Sequence, residues 1–269
     1  MLRSINEVYL AMLKRLLLLF IVLMVLTALP VQATETRLRF CYEDKPLLPF
    51  YSGHGLVPAD PPGAAIEHLR AAAAASNLQL ELIRQPWLRC LQQLEDNSID
   101  ALVAEYSADR EHFMHMPRTA SGETDPRFAM SSFSLCLAYH PQSALPDKLA
   151  NGGEFTIARP FGYRPIPLPA KSVQVHADSI NHALDLVSSG RVDATTVLCQ
   201  FNDQPVQPAE LQQRPVLFHP QPVHRSVGYL MLSNAFFKAQ PDVAQNLWQQ
   251  VANTRSTERY LEYLQQQNP

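Results

Sequence analysis

The chain lacks the surplus of positive charge that a nucleic-acid binder needs. Its 22 Lys and Arg stand against 25 Asp and Glu, a net charge of −3, so no cation is spare to neutralise phosphates. That net charge is also too small, and a hydrophobic share of 46% too high, for a disordered chain. The four cysteines include no C-x-x-C pair, which removes the usual sequence support for a zinc or thioredoxin-like site. Neither G-x-S-x-G nor H-E-x-x-H occurs, so no enzyme motif is legible and no cofactor is expected. Beyond residue 33 no apolar run is long enough to span a bilayer. At 269 residues the chain has room for one large domain or two of ordinary size.

What is present begins with a leader. Lys14 and Arg15 precede the apolar run Leu16 to Leu26, and Val31-Gln32-Ala33 supplies small residues for cleavage. A basic start, a short apolar core and a small-residue triplet describe a secretory signal peptide over residues 1–33, with Met1 or Met12 as the start. The alternative, a membrane anchor, needs about 20 apolar residues. Cleavage after Ala33 removes Arg3, Glu7, Lys14 and Arg15 and takes the net charge from −3 to −5. The mature chain is expected to be soluble and periplasmic. Export makes Cys41, Cys90, Cys136 and Cys199 candidates for structural disulfides. Four cysteines allow three connectivities, and spacing does not choose among them.

The first part of the mature chain alternates strand and helix. Leu38 to Tyr42 is β-prone, Ala64 to Ser76 carries a five-alanine run suited to a helix, and Leu78 to Leu82 alternates apolar with polar. Pro86 can open a helix bearing Leu88, Leu91 and Leu94, and Ile99 to Val103 reads as a strand. This order predicts parallel strands joined by crossover helices, with ligands meeting the loops past the strands' carboxyl ends. Glu43-Asp44, the Gln85-Pro86-Trp87 entry and Glu105 to Arg110 occupy those loops.

The second half reuses the grammar. Ile180, Ala183, Leu184 and Val187 follow helical spacing, and Gly190 ends that helix. Leu94 to Ala101 and Val187 to Ala194 both run from an apolar helix end through a polar turn to a β-branched residue, Asp and Ala. Two copies of one α–β unit suggest two similarly built lobes. Val227 to Leu232 reads as a strand, and a helix starting near Asp242 places Ala244, Leu247, Trp248 and Val251 on one side.

With these residues identified, the chain resembles the periplasmic solute-binding proteins of ABC-type transporters, specifically bacterial extracellular solute-binding family 3. The resemblance rests on Phe40 to Asp44, Pro86 to Leu91, Ser98 to Ala101, Tyr106 to Glu111, Gly190 to Ala194 and Gly228 to Ser233, in that order. It implies a two-lobed α/β fold of type II, each lobe a mixed, mainly parallel sheet flanked by helices, with two hinge crossings. Residues 34–130 with 225–269 would form one lobe and 131–224 the other. On that split one bridge per lobe, Cys41 with Cys90 and Cys136 with Cys199, would leave the hinge free to close.

The resemblance also implies a site between the lobes. In the family a hydroxyl residue followed shortly by Arg binds an amino acid's α-carboxylate, and Ser107-Ala108-Asp109-Arg110 is similar to that motif. A guanidinium fork suits a carboxylate; the alternative is a surface Arg110 paired with Asp109 or Glu111. Amino-acid binders carry an acid soon after Gly-Arg-Val-Asp-Ala to hold the ammonium, whereas here Thr195 to Gln200 contains none. Glu43 or Glu105 would have to supply it, or the ligand is not a standard α-amino acid. Tyr42, Trp87, Tyr106, Phe161 and Tyr163 could form aromatic walls, with core packing as the alternative for each. Phe161-Gly162-Tyr163 follows the Phe155 to Ala158 strand, where family members turn backbone N–H groups toward the ligand.

The string His112-Phe113-Met114-His115-Met116 has copper-type donors. No second cluster accompanies it, and no metal is expected. The expected function is capture of a small polar, carboxylate-bearing solute and its delivery to a membrane permease, by a monomer without catalysis. The alternatives are an enzyme on the same scaffold, of the cyclohexadienyl-dehydratase kind, and the ligand-sensing subunit of a membrane receptor.

Overall fold

The computed structural model describes residues 12–18, 20, 36–163, 165–207 and 209–265. The leader expected over residues 1–33 lies mostly outside them; residues 12–18 are helical with exposed side chains. Among the described residues no helix is long and apolar enough to cross a membrane. Residues 36–269 form a compact unit of their own.

That unit opens with β1 (Thr36–Glu43), α1 (Ala64–Ala75), β2 (Leu78–Gln85), α2 (Trp87–Glu95) and β3 (Ala101–Glu105). The strands are parallel: β1 pairs β2 from Thr36 opposite Leu78 to Glu43 opposite Gln85, and Phe40 sits opposite Ala101 of β3. Next come β4 (Met114–His115), β5 (Ser131–Tyr139), α3 (Leu145–Ala150), β6 (Phe155–Pro160), β7 (Ser172–Ala177), α4 (Ile180–Ser188) and β8 (Ala194–Phe201). The chain continues through β9 (Gln204–Pro205), α5 (Ala209–Gln212), β10 (Leu217–Phe218), β11 (His224–Ser233), α6 (Asn234–Ala239), α7 (Pro241–Asn253) and α8 (Thr257–Gln265).

One curled mixed sheet runs through the unit, ordered β2-β1-β3-β11-β5-β8-β6-β7. The two places where the sequence reading put the crossings fall on strands of this sheet. β5 and β11 pair antiparallel, from His224 opposite Leu135 to Gly228 opposite Ser131. The lobe limits drawn from the sequence meet the sheet at the start of β5 and one residue into β11.

Alternation along β1 divides the core. Leu38, Phe40 and Tyr42 face α1, α7 and α8, packing with Leu69, Trp248 and Tyr260. Cys41 faces the other way, into a cluster with Cys90 and Leu94 of α2. Trp248 is fully buried, and its indole N–H donates to the Leu230 carbonyl at 2.8 Å. Burying such a ring contributes roughly 2–3 kcal/mol, and its polar atom is satisfied as well.

The repeated helix-to-strand unit has a physical cause. Asn97 and Gly190, equivalent positions in the two copies, both take positive φ, at 59° and 70°. The Asp three residues later lies just before the strand and not within it, as the sequence pattern had it. Its carboxylate takes the backbone N–H of the parallel neighbour: Arg39 N donates to Asp100 Oδ2 and Thr156 N to Asp193 Oδ2, each at 2.8 Å. Side-chain cations complete each site, the Arg39 guanidinium at 2.7 Å and the Lys148 ammonium at 2.9 Å.

Both disulfides form as the family resemblance implied. Cys41–Cys90 ties β1 to α2, and Cys136–Cys199 ties β5 to β8.

Candidate ligand-binding site

A cavity of about 470 Å³ lies in this unit, walled by the carboxyl ends of β1, β3 and β6, by β5, β8 and β11, and by the loop through Pro46 and Tyr51. Strand polarity delivers the charged groups. β1 ends at Glu43, β3 at Glu105, and β6 runs through Arg159; all three side chains line the cavity. Arg110, on a short 3₁₀ turn from Ala108 to Arg110, joins them. The Ser107 hydroxyl donates to the Asp109 carboxylate in the same turn.

Three contacts join segments far apart in sequence in or beside this wall. The Tyr163 hydroxyl donates to Glu43 Oε2 at 2.9 Å. The Lys45 ammonium donates to the Asp178 carbonyl. Gly162, at φ 85°, lies so close to Leu88 that an added Cβ would sit 3.1 Å from its Cγ.

The electrostatics follow from burial. Desolvation pushes the Glu43 carboxyl above its ordinary value, although the Tyr163 hydrogen bond and Lys45 oppose the shift. Tyr163 is pushed well above the usual tyrosine range by burial and by the facing Glu43 carboxylate. Arg159 is only 5% exposed, and burial lowers its pKa; a guanidinium nonetheless keeps its charge. Glu105 and His224 approach to 3.2 Å across β3 and β11.

Of the residues singled out in the sequence, Glu43, Trp87, Glu105, Tyr106, Arg110 and Tyr163 line the cavity. Tyr42, Phe161 and Gly162 do not. Tyr42 shares the core face of β1 with Phe40, is 1% exposed, and has its ring 5.1 Å from that of Tyr51. Phe161 is 67% exposed, its ring edge-on to His176. Sequence reading missed Arg159 and the apolar loop Leu47, Leu48 and Phe50. An arginine inside the apolar run Phe-Thr-Ile-Ala-Arg-Pro was the available signal for the first.

The His-Phe-Met-His-Met string is dispersed. Phe113, Met114 and Met116 are buried, His112 faces Glu95 at 3.4 Å, and His115 stacks on Phe237 at 4.2 Å. Among the described residues no group of three or more His, Cys, Asp or Glu is placed to hold a metal ion.

The same architecture recurs in solved structures. The ligand-binding core of GluR0 in complex with L-glutamate superposes with a TM-score of 0.59 at 14% identity, over 86% of this chain and 99% of that one. The fold is that of the type II periplasmic binding proteins. A substrate-binding protein of an amino-acid ABC transporter matches with a TM-score of 0.57 at 14% identity, over 86% of this chain and all of that one. The VFT2 domain of BvgS from Bordetella pertussis gives 0.57 at 15%, over 85% and 91%. No family model and no curated protein matches the chain.

Proposed function

We propose that the protein is an exported solute-binding protein that holds a carboxylate-bearing solute in this cavity and hands it to a membrane transporter. The observation that carries the reading is the pair of guanidinium groups, Arg110 and Arg159, in the wall of a cavity of about 470 Å³ that is otherwise mostly apolar. A desolvated guanidinium gains most from a bidentate acid. The likeness to an amino-acid transporter's binding protein and the two disulfides support a periplasmic role in uptake. The role proposed is binding without turnover.

A second reading, the sensing subunit of a membrane receptor, draws support from the likeness to the BvgS domain and to a histidine kinase sensor domain. A thermal-shift screen of amino acids, carboxylates, opines and polyamines tests the binding itself. A solute at 100 times its dissociation constant raises stability by about 2.7 kcal/mol, and Arg110→Ala should weaken an acidic hit. Deleting the gene then separates the roles: lost uptake of the hit supports transport, and retained uptake with a lost transcriptional response supports sensing. Consumption of a prephenate-like compound by the purified protein would replace both with an enzyme.

A further inference from the structure

The cavity's chemistry is more specific than its fold. Its lining holds two acids, Glu43 and Glu105. Glu43 accepts from Tyr163 at 2.9 Å, and Glu105 faces His224 at 3.2 Å. At Thr195 and Thr196 of β8, Thr195 turns its hydroxyl to the Ala158 carbonyl at 2.9 Å, while Thr196 lines the cavity. An incoming ammonium would share these acids with Tyr163 and His224. Of the formally charged lining residues Glu43, Glu105, Arg110 and Arg159, only Arg159 is fully buried, at 5% exposure. Much of the rest of the wall is aliphatic or aromatic, with Leu47, Leu48 and Phe50 from the loop, Phe133 and Leu135 from β5, and Leu198 from β8, beside the polar Ser131, Asn181, Thr196, His224 and Ser226.

Size points the same way. An apolar cavity of about 150 Å³ holds benzene, and this one is about 470 Å³. That admits a ligand of up to roughly 20 non-hydrogen atoms, larger than a polar amino acid.

We infer that the solute is an amphipathic organic acid, its carboxylate held by Arg159 and its apolar body laid against the Leu47–Phe50 loop and β5. The inference rests on the solute-binding reading above and narrows it. The buried guanidinium is the main anchor, because a charge already stripped of water gains more from an acid than a solvated one does. Thr196 supplies a hydroxyl from the adjacent strand.

The test is calorimetric titration of the purified protein, both disulfides intact, with decanoate and 4-phenylbutyrate, their alcohols decan-1-ol and 4-phenylbutan-1-ol, and L-glutamate and L-lysine. Each acid should bind about 30-fold or more tightly than its alcohol, the scale of one charge-assisted pair. Arg159→Gln should bring the acid down to its alcohol while leaving the alcohol within about threefold. Should that variant fail to fold, the acid-to-alcohol ratio of the unaltered protein decides, and a ratio near one overturns the inference. An Arg159→Gln protein that folds and keeps the ratio overturns it too. Tighter binding of glutamate or lysine than of either acid sinks the amphipathic ligand and leaves solute binding standing. Silence from all six probes and from the wider screen removes both.

Discussion

Tyr163 and Glu43 lie 120 residues apart in sequence, yet the phenol donates to the carboxylate at 2.9 Å in the cavity wall. One partner ends the first strand and the other follows β6, so the bond links the two halves of the sheet. A hydrogen bond to a charged group contributes about 1.5 kcal/mol or more. Tyr163→Phe should therefore lower the stability of the empty protein by about 1.5 kcal/mol or more, and should weaken solute binding by no more than about tenfold. Calorimetry and urea denaturation on the same sample check both halves of that statement.

Gly162 carries two constraints at once. Its φ of 85° disfavours any side chain, and a Cβ would meet Leu88 Cγ at 3.1 Å. Gly162→Ala should cost about 1–2 kcal/mol from the backbone alone. The added Leu88→Ala change should relieve only the steric part, so a double-mutant cycle should show a favourable coupling that falls short of full recovery.

The two disulfides close loops of 49 and 63 residues. Loop-closure entropy makes each worth about 4 kcal/mol, with a difference between them of only ~0.2 kcal/mol. Reduction should lower the melting temperature steeply. Serine pairs at Cys41/Cys90 and at Cys136/Cys199 should be destabilised to similar degrees, and a large inequality would mean that one bridge does more than close its loop.

Asp193 illustrates how local sequence fixes local structure. Burial alone would raise its pKa, but the Thr156 backbone N–H, the Lys148 ammonium and the Thr156 hydroxyl together hold it below its usual value. Asp193→Ala strands those donors and should cost about 2–3 kcal/mol. Asp100→Ala should do the same through Arg39, since Asp100 takes that residue's backbone N–H in the same way. Denaturant titration of both variants checks the equivalence of the two sites.

Stability should bend with pH in two opposed ways. Glu43 titrates above its ordinary value of 4.5 in the folded protein because it is buried. The folded state therefore binds more protons, and stability falls as pH rises from 4.5 through the raised value. Glu67 is held below 4.5, chiefly by the hydrogen bond from Arg259. Its contribution is present above 4.5 and is lost as pH falls through the lowered value. Urea midpoints from about pH 3 to about pH 8 should flatten on the alkaline side in Glu43→Gln and on the acid side in Glu67→Gln.

Much of this was written locally. The parallel opening strands, the Ala71–Ala75 helix and the stop at Gly190 follow from propensity, periodicity and the few residues that tolerate positive φ. The order of those elements was enough to place Glu43, Glu105 and Arg110 at strand ends, where open α/β sheets bind ligands. Tyr42 shows the limit. It neighbours Glu43 in sequence, but the two-residue period of β1 turns it into the core with Phe40. Nothing in the residue type announces which face is which, because a tyrosine suits both.

By itself the sequence determined the elements, their parallel order and the presence of an arginine shortly after a strand end, since each depends on contacts within a few residues or on a repeating pattern. Tertiary structure alone decided that β5 and β11 join into one sheet, that Phe161 faces outward and that Arg159 is buried in the cavity wall. Those outcomes turn on pairing between segments tens to more than a hundred residues apart. The burial of a side chain is a property of what packs over it, which no local pattern encodes.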